Sequence, residues 1–286
     1  MLVKAIYCFF RVLPLEIASK LGAFLARNIG FLHPVGKLAH NNIKQSFPDL
    51  DDNEVNKIVD GALDNLGRVT AEIAHMEFIT GDEFRKRVKV EGEDSITDAI
   101  KRGGGTIFFS GHLANWEMIP KTLRECGIAD SMIVYRKANN PYVEKLILDA
   151  RKTYSSDAIP KGSIGARKLI KAVKAGKSIT MLVDQKQNDG IAVPFLGRDA
   201  MTASAIATMA LKYNCTLVPV QIIREKGVNF KVKLYPPLKI EKTDDNDKDI
   251  LTIMTTINSM LESWIRENPK QWFWVHNRWP KKNESV

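Results

Sequence analysis

The chain has 286 residues and a mass of 32.2 kDa, enough to bury a core that needs neither disulfides nor a metal to hold it. With 44% hydrophobic and 26% charged residues it is neither disordered nor fibrous. Three scattered cysteines, Cys8, Cys126 and Cys215, exclude a disulfide framework and a zinc site. A net charge of +9 and a pI of about 9.3 favour an anionic partner: nucleic acid, acidic lipid, phosphorylated substrate or an acidic carrier protein.

The N-terminus is oily but too short to span a bilayer, because Arg11 ends the apolar run Ala5 to Phe10 and Glu16, Lys20 and Arg27 interrupt the next stretch. No small-residue cleavage site suggests a signal peptide. Leu15–Leu32 reads as an amphipathic helix, with Ile17, Leu21, Phe24 and Leu25 on one face. Its basic surroundings suit an anionic membrane surface, and packing on the domain's own core is the alternative. An acid-rich helix start at Asp51 and Asp52 leads into an apolar-periodic stretch ending near Met76.

Strands are predicted at Val88–Val90, Thr106–Ser110, Met132–Tyr135, Ile179–Val183, Leu217–Ile223 and Phe230–Leu234. Helices are predicted near Asp94–Lys101, Trp116–Cys126, Pro141–Tyr154, Ile164–Ala175, Met201–Tyr213 and Lys248–Glu267. This alternation predicts a single α/β domain with a central mixed sheet flanked by helices, preceded by the amphipathic, membrane-associating segment. The division falls at residues 1–32 and 33–286. Gly103-Gly104-Gly105 lacks a following Lys-Ser/Thr and reads as a turn rather than a phosphate loop.

Ser110-Gly111-His112-Leu113-Ala114-Asn115-Trp116-Glu117 carries the chemistry. His112 comes just after a buried strand, where ligands of α/β sheets collect. Five positions on a continuous helix would leave His112 and Glu117 ~140° apart. His112 must therefore precede the helix if Glu117 is to reach it, fix its tautomer and stabilise its cation. Nε2 could then take a proton from a substrate hydroxyl. Trp116 reads as a packing residue and Asn115 as a helix cap.

His112 through Glu117 resembles the HX4E motif of the bacterial lipid A biosynthesis acyltransferases, the late lauroyl/myristoyl family. Further blocks agree in order: Asn42–Phe47, Asn65–Gly67, Tyr135–Pro141, Asp184-Gln185, Val193–Gly197, Met201–Ala203, Leu217–Pro219 and Pro269–Trp279. Lys137 and Asn277 depart from it, standing where a proline and a basic residue are frequent. The resemblance implies acyl transfer from acyl carrier protein to a hydroxyl of a Kdo-bearing lipid A precursor, at the cytoplasmic face of the inner membrane. No cofactor, metal or nucleic acid is implied. His112 would be the base and Glu117 its orienter. Arg136 would contact phosphate or oxyanion unless it forms a salt bridge. Asn140, of the Asn-Pro pair, joins the substrate side. Asp184 and Gln185 would bind head-group atoms or tie loops, and Phe195 and Thr202 would line a substrate channel. Trp272, Trp274 and Trp279 suit either a membrane interface or a tail packed on the core. The alternatives are acyl transfer to a glycerophospholipid or another glycolipid, and a non-enzymatic basic protein.

Overall fold

The computed structural model describes residues 2–101, 104–128 and 131–279. Gly103 of the glycine run, and residues 280–286 of the longer predicted unit, lie outside them. Four helices come first: α1 (Leu2–Val12), α2 (Leu15–Leu32), α3 (Pro34–Ser46) and α4 (Asp52–Glu72). The predicted amphipathic helix has the expected bounds. The acid-rich start of α4 is a capping box. Asp51 Oδ1 accepts from the Glu54 amide at 2.8 Å, and Glu54 Oε2 accepts from the Asp51 amide at 2.9 Å, a device that stabilises a helix start by about 1 kcal/mol.

The N-terminal segment is packed on the body. Helices α2 and α4 touch backbone to backbone where Gly22 meets Gly67. A Cβ on Gly22 would lie 2.3 Å from the Gly67 carbonyl oxygen, so neither position has room for a side chain. Ile17, Phe24 and Ile29 remain largely exposed on the outer side of α2.

The body continues as α5 (Gly81–Arg87), β1 (Val88–Glu91), α6 (Asp94–Lys101), β2 (Thr106–Ser110), α7 (Met118–Glu125), β3 (Ser131–Tyr135), α8 (Pro141–Arg151), β4 (Asp157–Pro160), α9 (Ser163–Lys174) and β5 (Ser178–Leu182). A hairpin of β6 (Lys186–Phe195) and β7 (Arg198–Thr202) leads to α10 (Ala205–Tyr213), β8 (Thr216–Lys226), β9 (Asn229–Leu234) and α11 (Asn246–Glu267). Seven strands form the main sheet in the order β1-β9-β8-β2-β5-β3-β4. All neighbours are parallel except β8 and β9. The continuous apolar strand β2 lies at its centre and is buried throughout, as expected for a parallel strand covered on both faces.

The expected α/β domain is present, with three local differences. Helix α10 begins at Ala205 because Met201 and Thr202 belong to the hairpin strand β7. Strand β4 had no apolar run to announce it, and the hairpin opens on the polar stretch Lys186–Gly190, with Pro194 interrupting the apolar residues that follow. The three C-terminal tryptophans Trp272, Trp274 and Trp279 are buried in the core, which settles their two readings in favour of packing.

Candidate active site

Strand register builds the site. Ser110 of β2 pairs with Leu182 of β5, so residues two further on, His112 and Asp184, emerge side by side. Tyr135 of β3 pairs with Pro160 of β4, so Arg136 and Lys161 do the same next to them. Four parallel strands thus deliver the residues beyond their ends to one edge of the sheet, where ligands of such sheets bind.

His112 Nδ1 lies 2.7 Å from Asp184 Oδ1, and the His112 backbone amide donates to Asp184 Oδ2 at 2.7 Å. The indole Nε1 of Trp272 donates to the same Oδ2 at 2.7 Å. Asp184 is fully buried. Burial alone would raise its carboxyl, but the adjacent His112 imidazole, with His276 and the His112 amide, outweighs burial and holds it well below the usual carboxylate range. An ionised Asp184 places the imidazole proton on Nδ1 and leaves Nε2 as the acceptor. Gln185 Nε2 stands 3.3 Å from His112 Nε2. Trp116 and Phe273 flank the imidazole at centroid distances of 5.1 and 5.9 Å.

The expected orienter is corrected. Glu117 faces the same cleft as His112, but its oxygens are engaged elsewhere. Arg151 donates to Oε2 from Nε at 3.0 Å and to Oε1 from Nη2 at 2.6 Å, and the Tyr154 hydroxyl donates to Oε2 at 2.7 Å. Burial pushes the Glu117 carboxyl up, yet the Arg151 guanidinium, aided by the Tyr154 hydroxyl, holds it below its usual range. The carboxylate that touches His112 is Asp184.

The loop between His112 and Glu117 is clamped from beneath. Ala114 has a φ of +46°, a left-handed conformation that costs a non-glycine residue of order 1–3 kcal/mol. Backbone bonds to the C-terminal segment support it: the Ala114 amide donates to the Gln271 carbonyl at 2.9 Å, and the Phe273 amide to the His112 carbonyl at 3.1 Å. Asn65 Nδ2 donates to the Ala114 carbonyl at 3.0 Å. Asn115 Nδ2 donates at 2.8 Å to Glu72, which is buried and paired with Arg224 at 2.7 Å. Asn115 Oδ1 accepts from the Glu117 amide at 3.2 Å. Asn115 is therefore not the helix cap: α7 begins at Met118 with Glu117 as its N-cap, and Asn115 instead ties the preceding loop to α4.

The cleft has a volume of about 370 Å³, and its walls include His112, Glu117, Arg136, Lys137, Lys161 and Gln185. Among the described residues no carboxylate pairs with Arg136, so the salt-bridge reading of it fails. A second cavity of about 530 Å³ shares Val134, Lys161, Leu182 and Gln185 with the first and continues along Ile159, Leu169, Met181, Val183 and Ile206. Its lining is mainly apolar. Among the described residues no cluster of His, Cys, Asp and Glu could hold a metal ion, and no helix is long and apolar enough to cross a membrane.

Three expected substrate contacts lie elsewhere. Asn140 caps α8, where its Oδ1 accepts from the Tyr142 amide at 2.9 Å. Phe195 and Thr202 are fully buried and line neither cavity. Arg278, also fully buried, donates to Thr202 Oγ1 at 2.7 Å and stacks 4.8 Å from the Phe195 ring. These three form the packed floor behind the Trp272 ring. Sequence reading missed Arg151, Tyr154, Lys161 and the Trp272 contact. Lys161 carried no sequence signal, because the strand it follows, β4, was itself not legible.

The site thus sets a buried carboxylate–imidazole pair at the strand ends, facing a cationic cleft joined to an apolar cavity. Residues 1–281 match the family of bacterial lipid A biosynthesis acyltransferases, and the chain belongs to that family. It is 24% identical over 280 residues to the lipid A biosynthesis lauroyltransferase of Escherichia coli K12, spanning 96% of this chain and 89% of that protein. It is 22% identical over 264 residues to the lipid A biosynthesis palmitoleoyltransferase of the same organism, spanning 89% and 83%. Among solved structures it is similar to the 1-acyl-sn-glycerophosphate acyltransferase of Thermotoga maritima, with a TM-score of 0.40 and 12% identity over 87% of this chain and 97% of that one.

Proposed function

We propose that this protein transfers a fatty acyl chain from an acyl carrier protein thioester to a hydroxyl of a Kdo-bearing lipid A precursor. The observation that carries this reading is the His112–Asp184 pair at 2.7 Å, with Nε2 turned toward a cationic cleft that opens into an apolar cavity. The acceptor hydroxyl displaces the Gln185 amide from Nε2 and gives its proton to His112. Its oxygen attacks the thioester carbonyl to form a tetrahedral oxyanion, which the Gln185 amide and the Arg136 guanidinium are placed to stabilise. Collapse breaks the carbon–sulfur bond, and the imidazolium returns the proton to the leaving thiolate. Asp184 holds the tautomer and balances the transient cation. Glu117 adds a second negative charge to the cleft wall and anchors Arg151. Arg136, Lys137 and Lys161 bind acceptor phosphates and carboxylates. The donor chain lies in the 530 Å³ cavity.

Residues 1–32 act as the membrane-associating segment at the cytoplasmic face of the inner membrane. Ile6, Phe9, Val12, Ile17, Phe24 and Ile29 are exposed along α1 and α2, beside Lys4, Arg11, Lys20 and Arg27. That pattern supports a helix pair lying in an anionic interface. The test incubates purified protein with acyl carrier protein thioester and Kdo-lipid acceptor and weighs the product. Transfer by the parent, lost in His112→Ala, is the expected result. Activity retained in His112→Ala refutes the mechanism, and transfer confined to a glycerophospholipid acceptor refutes the substrate.

A further inference from the structure

The positive charge is not spread evenly. From residue 161 to 183 the chain carries six basic residues and no acidic one, against a net charge of +9 for the whole. Most of this run is α9. Its inner residues Leu169, Ala172 and Val173 are buried, and Ile164, Arg167, Lys171 and Lys174 are exposed. These four succeed one another at intervals of three and four residues, so they share one helix face. Lys168, at the edge of that face, pairs with Asp157, and Lys174 lies 5.2 Å over the Tyr213 ring. Among the described residues no carboxylate pairs with Arg167 or Lys171. Ile164, which is 74% exposed, stands in the first turn of α9, where its neighbours Gly162, Ser163, Gly165 and Ala166 line the 530 Å³ apolar cavity. A cationic stripe with one apolar tip therefore ends at the rim of the cavity that opens toward His112.

We infer that this face of α9 docks an acidic acyl carrier protein and aims its cargo into the cavity. The docking rests on the carrier-thioester reading above and names the surface that reading lacks. An acidic helix laid along the stripe pairs with Arg167 and Lys171 while a side chain of its own covers Ile164. A membrane fits the stripe less well. Interfacial helices need a broad apolar face, and α9 exposes one large apolar residue where α1 and α2 expose several. Topology separates the two surfaces as well. The chain passes outward from β3 to β4 through α8 and back inward from β4 to β5 through α9. Right-handed crossovers running in opposite directions put α8 and α9 on opposite faces of the sheet. Helix α1 packs on α8, and α9 packs beside α10. The donor and the bilayer thus meet different sides of the molecule.

The test uses the full chain and the variant Arg167→Glu/Lys171→Glu, whose changed side chains are both exposed. Donors are one saturated acyl chain carried by acyl carrier protein and the same chain on free pantetheine. The expected result is a KM for the carrier donor raised about tenfold or more. The kcat is unchanged, the salt sensitivity is weaker, and the kinetics with pantetheine stay the same. An unchanged carrier KM overturns the docking surface, as does an equal loss with both donors. A variant that loses binding to anionic vesicles but keeps its carrier KM assigns the stripe to the bilayer and overturns it too. A parent that accepts pantetheine thioester but not the carrier thioester removes the donor reading itself, a result that the parent alone reveals.

Discussion

Replacing Asp184 by Asn changes one oxygen to an amide and leaves the volume of the side chain the same. The remaining oxygen can keep the position of Oδ2, where it accepts from the His112 amide and from Trp272 Nε1, both at 2.7 Å. Two fixed donors at that site leave the new NH₂ facing His112 Nδ1, which sits 2.7 Å from Oδ1. Two N–H groups cannot share that contact. The imidazole must give up its Nδ1 proton and take one on Nε2, so the base arrives already protonated. The countercharge to the imidazolium is lost as well. A wrong tautomer at a comparable pair costs about 10⁴ in kcat, or ~5 kcal/mol. We expect Asp184→Asn to lower kcat by about 10³–10⁴ with little change in acceptor KM, read by single-turnover acyl transfer. Thermal unfolding of the variant checks that the fold survives. Turnover within about tenfold of the parent would refute the argument that Asp184 sets the tautomer.

The same contacts set further expectations. Trp272→Phe removes one hydrogen bond to a fully buried carboxylate and, because phenyl is smaller than indole, opens a cavity at a fully buried site, which together should cost about 2–5 kcal/mol in urea unfolding. Glu117→Gln leaves the Arg151 guanidinium buried and unpaired, a loss of about 3–5 kcal/mol at pH 7. Because the native Glu117 carboxyl is lowered, its stabilisation is present above the unfolded value of ~4.3 and is lost as pH falls through the native one. The stability gap between parent and Glu117→Gln should therefore close only below about pH 4, and a gap that closes between pH 7 and 5 would contradict the pairing. Gly111→Ala puts a Cβ 3.0 Å from Asp184 Oδ2 and 3.3 Å from Leu261, so kcat should fall by a larger factor than the unfolding midpoint suggests. Ala203→Phe narrows the second cavity, whose wall includes Ala203, and should shift transfer toward shorter chains in a competition among carrier-bound donors.

Much of the frame was readable because apolar periodicity is a local signal. The α2 bounds and the strands β2 and β5 come from runs of apolar residues that no charged residue breaks or that recur at helical spacing. The hairpin β6–β7 was not readable. Its first half, Lys-Gln-Asn-Asp-Gly, has the composition of a loop, Pro194 interrupts the apolar residues that follow, and Met201-Thr202-Ala203 reads as an extension of the next helix. Strand β4 is only four residues, Asp157–Pro160, and ends in a proline. The site shows the same division. His112 was legible as a polar residue after a buried strand, and Asp184 and Gln185 as residues of the same cleft. Which carboxylate holds the imidazole depends on the register of two strands some 72 residues apart. The short spacing to Glu117 pointed to the nearer acid, and that acid belongs to Arg151. The resemblance implies a substrate channel for Thr202 and Phe195, whereas burial against Arg278 makes them part of the floor.

The central claim is that His112 Nε2 is an unprotonated base because Asp184 holds the proton on Nδ1. Nitrogen-15 NMR of the protein labelled at histidine, with His112→Ala to assign the signal, reads this directly. Neutral His112 should show its proton on Nδ1 and a bare Nε2, and in Asp184→Asn the proton should move to Nε2. A parent protein whose neutral His112 already carries the proton on Nε2 would contradict the account.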